Sequence, residues 1–419
     1  MMITDRIHAF VLKDVLGRFL RYVQVHTTSD DESTTIPSTR RQFDLLRMLA
    51  DELRELGLDE VELTDNGFVY ATLPARTGGQ APGFGLLAHV DTSPDQPGDG
   101  VKPVRHENWD GSPITFADDP ELTLSVDDSE ELRDCIGETI ITASGRTLLG
   151  ADDKAGVAEI MTAVAVWSKF PELPHGEVRI CFTGDEEIGR GTEGLDFDRL
   201  PKFCYTVDGG PPGELEDECF DAWRARVHIK GIGVHPGFAK DKMINAARLA
   251  SQYVAELPVD ESPERTEGRE GFFHITHLKG DCENAEIDMI IRDFEESRNR
   301  QRIELLETLK ARFEARHPGC VITIDTQHQY HNMGEILRQN PEVLDKAERA
   351  IVDAGLTVNR KSIRGGTDGS ALCQKGHPTP NLFAGGILFH SRREWIAESA
   401  LTKAVETILH LARYWAQGS

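Results

Sequence analysis

Gly83-Phe-Gly-Leu-Leu-Ala-His-Val-Asp91 is a short apolar run that ends on a histidine and an aspartate. A run of this length, opened by glycine, reads as a buried strand rather than a core helix. His89 and Asp91 stand at i and i+2, so an extended backbone projects both side chains to one face. Working outward, two runs of the same kind follow. Glu177-Val-Arg-Ile-Cys-Phe182 leads into Glu186 and Glu187, and Phe203-Cys-Tyr-Thr-Val207 leads into Asp208. Residues 155–167 are spaced as a helix, with Asp152 and Asp153 just before it. Strands alternating with helices predict an α/β fold, a mixed sheet covered by helices on both faces.

A different rhythm begins near Cys219. Residues 222–230, 271–278, 286–292 and 321–327 read as strands, and 243–257 and 296–316 as helices. The order β-α-β-β-α-β is that of a ferredoxin-like α+β domain. The α/β pattern resumes near Asn332, with a helix over 341–354 and a strand over 381–384. We therefore expect a catalytic domain in two parts, 1–218 and 331–419, with a smaller domain, 219–330, inserted between them.

Upstream of the deciding strand, Ile7, Val11, Val15 and Phe19 recur at helical spacing among charged residues, so the N-terminal stretch reads as an amphipathic helix and not a signal peptide. A second helix over 39–56 ends at Gly57, a plausible cap. No run approaches the ~18 apolar residues of a membrane span. The formal net charge of −25, from 46 basic and 71 acidic residues, argues against nucleic acid and anionic membrane as partners. The seven cysteines are scattered, with no C-x-x-C pair. That usage suits buried thiols in a reducing cytoplasm, not a disulfide scaffold or a thiolate metal site.

His89, Asp91, Asp152, Glu186, Glu187, Asp208 and His390, the last closing Gly386-Ile-Leu-Phe-His390, all lie where predicted strands end or a helix begins. Ligand sites of open α/β sheets gather beyond the carboxyl ends of strands, so these residues can converge. Imidazole and carboxylate donors without cysteine suit zinc or a similar first-row ion. Two dications about 3.5–4 Å apart with a bridging carboxylate would offset the acidic surplus and activate water. Each element also has an ordinary explanation: a structural His–Asp pair, a helix cap at Asp152–Asp153, a solvated surface at Glu186–Glu187. On spacing alone both readings stay open.

Longer segments carry a resemblance. Leu86-Leu-Ala-His-Val-Asp-Thr-Ser-Pro-Asp95, Leu148-Leu-Gly-Ala-Asp-Asp-Lys-Ala-Gly156, Asp185-Glu-Glu-Ile-Gly-Arg-Gly191 and Tyr205-Thr-Val-Asp-Gly-Gly210 closely resemble the peptidase T group of tripeptide aminopeptidases. Val234-His-Pro-Gly237, Ile363-Arg-Gly-Gly-Thr-Asp-Gly369 and Pro380-Asn-Leu-Phe383 do so as well. That group belongs to the di-zinc metallopeptidase superfamily that also holds carboxypeptidase G and aminoacylase. The resemblance implies two divalent ions per chain, zinc with cobalt or manganese as alternatives. It implies His89 and Asp208 on one ion, Glu187 and His390 on the other, and Asp152 as the bridge. It further implies Glu186 as general base, Asp91 as the residue that orients His89, and a cis bond between Asp152 and Asp153. His235 would polarise the carbonyl, Arg292 and Arg364 would grip the peptide's carboxylate, and Asn245 would touch substrate.

The implied activity is release of the N-terminal residue from a tripeptide by metal-activated water. An N-acyl amino acid deacylase or dipeptidase on the same fold is the alternative, and a non-catalytic binding protein a remote one. Relatives of this kind act as single chains or pair through the inserted domain, which leaves a homodimer open. The substrate would be a small peptide.

Overall fold

The computed structural model describes residues 3–76 and 82–417, so Met1 and Met2 of the N-terminal stretch lie outside the described residues. The chain divides into two compact units. One comprises Met1–Asp217, Glu335–Lys361 and Thr367–Ser419, the other Glu218–Gly334 and Ser362–Gly366.

The first unit is built on a sheet of eight strands among the described residues. At its centre Phe84–His89 lies parallel to Val178–Thr183 on one side and to Cys204–Gly209 on the other, and Asn381–Phe383 continues in parallel beyond Cys204–Gly209. Val69–Leu73 and Glu214–Cys219 add antiparallel flanks. Phe84–His89 is buried along its whole length, as a strand with both faces covered must be. Its side chains alternate between two helical layers. Phe84 stacks on Trp415 of helix Glu398–Ala416 at 6.0 Å between ring centroids. Leu87 packs in a cluster with Leu372 of helix Asp368–Gln374. The mixed sheet with helices on both faces is the α/β architecture that the alternation predicts.

The N-terminal helix, Asp5–Tyr22, buries Ile7, Val11, Val15 and Phe19, a four-residue stripe that faces helices Ala151–Lys169 and Glu398–Ala416. The second helix starts later than expected, at Gln42, and its end is followed by Gly57 at φ 83°. Residues 101–147 show no clear period in the sequence. They contribute three-residue strands, Val104–His106 and Ile140–Thr142, to a small sheet, and the hairpin Ile114–Phe116 with Asp119–Leu124. Strands this short carry too few alternations to show a period. Every cysteine is free, and no helix among the described residues is long and apolar enough to cross a membrane.

The second unit is an antiparallel sheet in which the fourth, first, third and second strands in chain order lie side by side: Val321–Tyr330, Asp221–Lys230, Asn284–Asp293 and Phe272–Gly280. Ala225, Val227 and Ile229 alternate into a core with Leu249 and Tyr253 of helix Ala246–Ala255 and Leu306, Leu309 and Phe313 of helix Glu296–Arg316. The strip Ser362–Gly366 also belongs to this unit, although it lies within the 331–419 stretch expected to return to the catalytic domain. The Phe220 N–H donates to Gly365 O at 3.3 Å, and Arg364 reaches into the loop over 266–270.

Candidate metal centre

Three parallel strands end at the same edge of the large sheet, carrying His89, the Glu186–Glu187 turn and Asp208. Helix Ala151–Lys169 adds Asp152 and Asp153 from its first turn, where the intervening peptide bond is cis. That helix can lie close to the sheet because residue 156 is glycine. A Cβ there would stand 1.8 Å from the carbonyl oxygen of Val207 and 2.5 Å from Asp153 Oδ1. His390 arrives differently from the sequence expectation. The strand stops at Ile387, and His390 sits in a turn at φ 55°.

The side chains converge. His89 Nε2 lies 3.0 Å from Asp152 Oδ1 and 3.4 Å from Asp208 Oδ1. His390 Nε2 lies 3.3 Å from the other Asp152 oxygen and 2.7 Å from Glu187 Oε2. Asp152 therefore turns one oxygen to each histidine. Glu186 Oε2 is 4.0 Å from His89 Nε2. Donor atoms of His89, Asp152 and Glu187 lie within 4.8 Å of one another, as do those of His89, Asp153 and Asp208. Both oxygens of Asp153 are already engaged by backbone, accepting from His89 N at 3.2 Å and Gly156 N at 3.2 Å.

Crowded acids set the electrostatics. Burial pushes Glu187 up to about 8, aided by the charge on Asp152, although its bond to His390 pulls the other way. Burial likewise raises Asp208 to about 6 against the attraction of His89. Glu186 is raised well above the usual carboxyl range by burial and by Asp208. Burial opposes charge on His89, but Asp208 and hydrogen bonds to Asp152, Asp208 and Asp91 outweigh it and lift the imidazole well above its ordinary value. Hydrogen bonds to Asp152 and Glu187 raise His390 to about 11. Negative charge exceeds what two imidazoles can neutralise, and the donors are nitrogen and carboxylate oxygen. That set fits divalent first-row cations of the zinc type.

Asp91 lies beside His89, with its main-chain O 3.1 Å and Oδ1 3.3 Å from Nδ1. Its carboxylate also accepts the N–H groups of Glu186 at 3.1 Å and Glu187 at 3.3 Å, which the sequence did not suggest. Three further buried acids escaped the sequence reading as site residues. Glu394 accepts from Leu149 N and Gly150 N at 2.7 Å and from Asp152 N at 3.0 Å, and so holds the turn that presents Asp152. Asp185 accepts from Ser38 N at 2.5 Å and Gln42 Nε2 at 2.6 Å and anchors the glutamate turn. Asp368 accepts from Thr183 Oγ1 at 3.1 Å. Asp185 and Asp368 lie inside quoted motifs, a usable signal, whereas Glu394 follows two arginines and has none.

The other expected residues belong to the second unit. His235 is exposed and accepts from Gly237 N at 3.2 Å. Asn245 caps helix Ala246–Ala255, accepting from Arg248 N at 2.9 Å. Arg292 is buried and donates to Trp223 O, Ile291 O and Gln329 Oε1, each at 3.0 Å. Arg364 donates to Gly268 O at 2.7 Å, Glu270 O at 2.9 Å and Thr266 Oγ1 at 3.0 Å. The present partners of both guanidinium groups lie within their own unit.

Residues 150–414 match the family model for peptidase family M20/M25/M40. The peptidase T of Geobacillus thermodenitrificans is 45% identical over 406 residues, 97% of this chain and 99% of that protein. Among solved structures, a tripeptidase from Staphylococcus aureus superposes with a TM-score of 0.77 at 20% identity, covering 97% of this chain and 99% of that one. A dinuclear metal-binding peptidase of the M20 family from Bacillus subtilis gives 0.65 at 16% identity, covering 96% and 98%.

Proposed function

The chain belongs to peptidase family M20/M25/M40 and is a peptidase, and we propose that it releases the N-terminal residue of tripeptides with two divalent cations held at the strand-end site. The observation that carries this reading is the posture of Asp152, one oxygen 3.0 Å from His89 and the other 3.3 Å from His390. A carboxylate so placed can bridge. His89 and Asp208 would hold one cation, Glu187 and His390 the other, with zinc the best match to the donors and cobalt or manganese acceptable. When bound, the pair supplies Lewis acidity to the water and to the scissile carbonyl.

The chain's own residues do the rest. Asp91 fixes the Nδ1 side of His89, which leaves Nε2 as its ligand atom. The same carboxylate pins the backbone of Glu186, whose side chain is assigned to neither cation and serves as the proton carrier. Glu186 takes the proton from the attacking water and delivers it to the leaving amine. Burial and Asp208 raise its pKa, which strengthens it as a proton acceptor. His235 is assigned the developing oxyanion, and Arg292 and Arg364 the distal carboxylate. The support for these three is the motif resemblance.

Glu186→Gln removes the proton carrier and keeps the shape. Turnover of a free tripeptide should fall by at least the 10²–10⁴-fold typical of a lost general base, with metal content by mass spectrometry unchanged. Wild-type-like turnover in that variant would sink the mechanism. N-acetylated tripeptides should be poor substrates, and their preferential cleavage would favour a deacylase.

A further inference from the structure

A second convergence of metal-type donors lies in the other unit, on residues outside the motifs that carried the peptidase reading. Asp221 opens one strand of the antiparallel sheet, His328 stands near the end of its neighbour, and His331 follows that strand. Both histidines turn a ring nitrogen to the same oxygen, Asp221 Oδ2: His328 Nε2 at 2.8 Å and His331 Nδ1 at 3.4 Å. The two rings lie 3.9 Å apart between centroids, and one donor atom from each of the three residues falls within 4.8 Å of the others.

The carboxylate is prepared for this posture. Asp221 is buried, and its other oxygen accepts from the Trp223 indole and from Asn299 Nδ2, each at 2.9 Å. Asn299 also donates to Asp221 O at 2.7 Å. These bonds leave Oδ2 aimed at the histidines, as the supporting contacts of metal-ligating carboxylates do. Tetrahedral zinc with bonds of ~2.0–2.1 Å has ligand-to-ligand edges of about 3.3 Å. The observed 2.8 and 3.4 Å bracket that value. His331 is half exposed, which supplies an entry path and open positions for water, and Glu296 Oε2 lies 3.9 Å from its Nδ1.

We propose that Asp221, His328 and His331 bind a single divalent first-row cation, of which zinc is the best match to two imidazoles and one carboxylate. Its position gives it a job. Asp221 lies just after the chain enters this unit at Glu218, and His331 just before it leaves at Gly334. A cation there ties the entering and leaving segments together.

The test uses the full chain, stripped with chelator, dialysed against zinc and assayed for bound metal per chain by mass spectrometry. His331→Ala and His328→Ala should each carry one zinc fewer than wild type, with far-UV dichroism unchanged. The zinc-dependent rise in the melting temperature should shrink in both. The readout is a difference between proteins, so it stands whatever number of ions the strand-end site holds. Asp208→Asn, which alters only that other site, should leave the difference intact. Equal zinc content in wild type and both variants overturns the proposal. So does an equal zinc content in Asp208→Asn with and without His331→Ala.

Discussion

The strand-end cluster and the cluster at Asp221 differ in charge and in how they are held. The strand-end cluster sets two histidines against Asp91, Asp152, Asp153, Glu186, Glu187 and Asp208; Asp91 and Asp153 accept backbone N–H groups, and the backbone that presents Asp152 is held by Glu394. The cluster at Asp221 sets two histidines against one buried carboxylate, itself held by the side chains of Trp223 and Asn299. The first cannot be electrically satisfied by imidazoles and calls for more than one dication. The second needs at most one. Backbone anchoring at the first also means that its geometry depends on how closely the helix approaches the sheet, so the largest effect should come from disturbing that approach.

Gly156→Ala places a methyl 1.8 Å from Val207 O, between the helix that carries Asp152 and the strand that carries Asp208. Backbone on one side leaves no flexible atom to yield. Stability in urea should drop by an amount at or beyond the about 3 kcal/mol upper end of ordinary overpacking, and hydrolysis should be lost with it. The same change at the exposed Gly17, inside helix Asp5–Tyr22 where a Cβ meets nothing within 4 Å, should instead stabilise by about 0.5–1 kcal/mol. A wild-type midpoint for Gly156→Ala would show that the helix and strand are not locked together.

Much of this contrast was legible in the sequence, and its limits are physical. Buried parallel strands advertise themselves as apolar runs, so the Phe84–His89, Val178–Thr183 and Cys204–Gly209 strands and the acids at their ends could be read off. The period-2 and period-3.6 patterns of the second unit were equally plain, since one face of its sheet is covered by helices. What could not be read is contact across the chain. Glu394 reaches Leu149, Gly150 and Asp152 from more than 240 residues away, and no local pattern marks an acceptor for someone else's backbone. His328 and His331 look like a solvated edge until the register pairs His328 with Trp223 and brings Asp221 beside them. Arg364 reads as a catalytic-domain residue because its neighbours in sequence are, whereas its hydrogen bonds belong to the loop over 266–270.

An intermediate effect is expected where backbone anchoring is weakened but not blocked. Glu394→Gln turns one of the two acceptor oxygens into a donor that faces N–H groups of the 149–152 turn. Leaving such a group unsatisfied costs about 1–3 kcal/mol. Loss of a supporting contact typically weakens metal affinity about 10–100-fold. Chelator competition should show weaker zinc retention at the strand-end site, with the zinc assigned to Asp221 unaffected. Equal loss from both clusters would break the claim that they are held independently.

The smallest effect should fall on Arg364, and it separates two roles that the structure and the resemblance assign to one side chain. The guanidinium already bonds Gly268 O, Glu270 O and Thr266 Oγ1, and its carbon lies 5.2 Å from the centre of the Phe220 ring. Lysine keeps the charge and loses the planar fork. If Arg364 grips the peptide carboxylate, Arg364→Lys should raise KM for a free tripeptide by roughly tenfold, the size of one charge-assisted hydrogen bond, and leave KM for the tripeptide amide unchanged. If it only ties down the loop, both substrates should shift together and the melting temperature should fall. The ratio of the two KM changes therefore decides whether this unit reads the far end of the peptide through Arg364 or merely shapes the loop beside it.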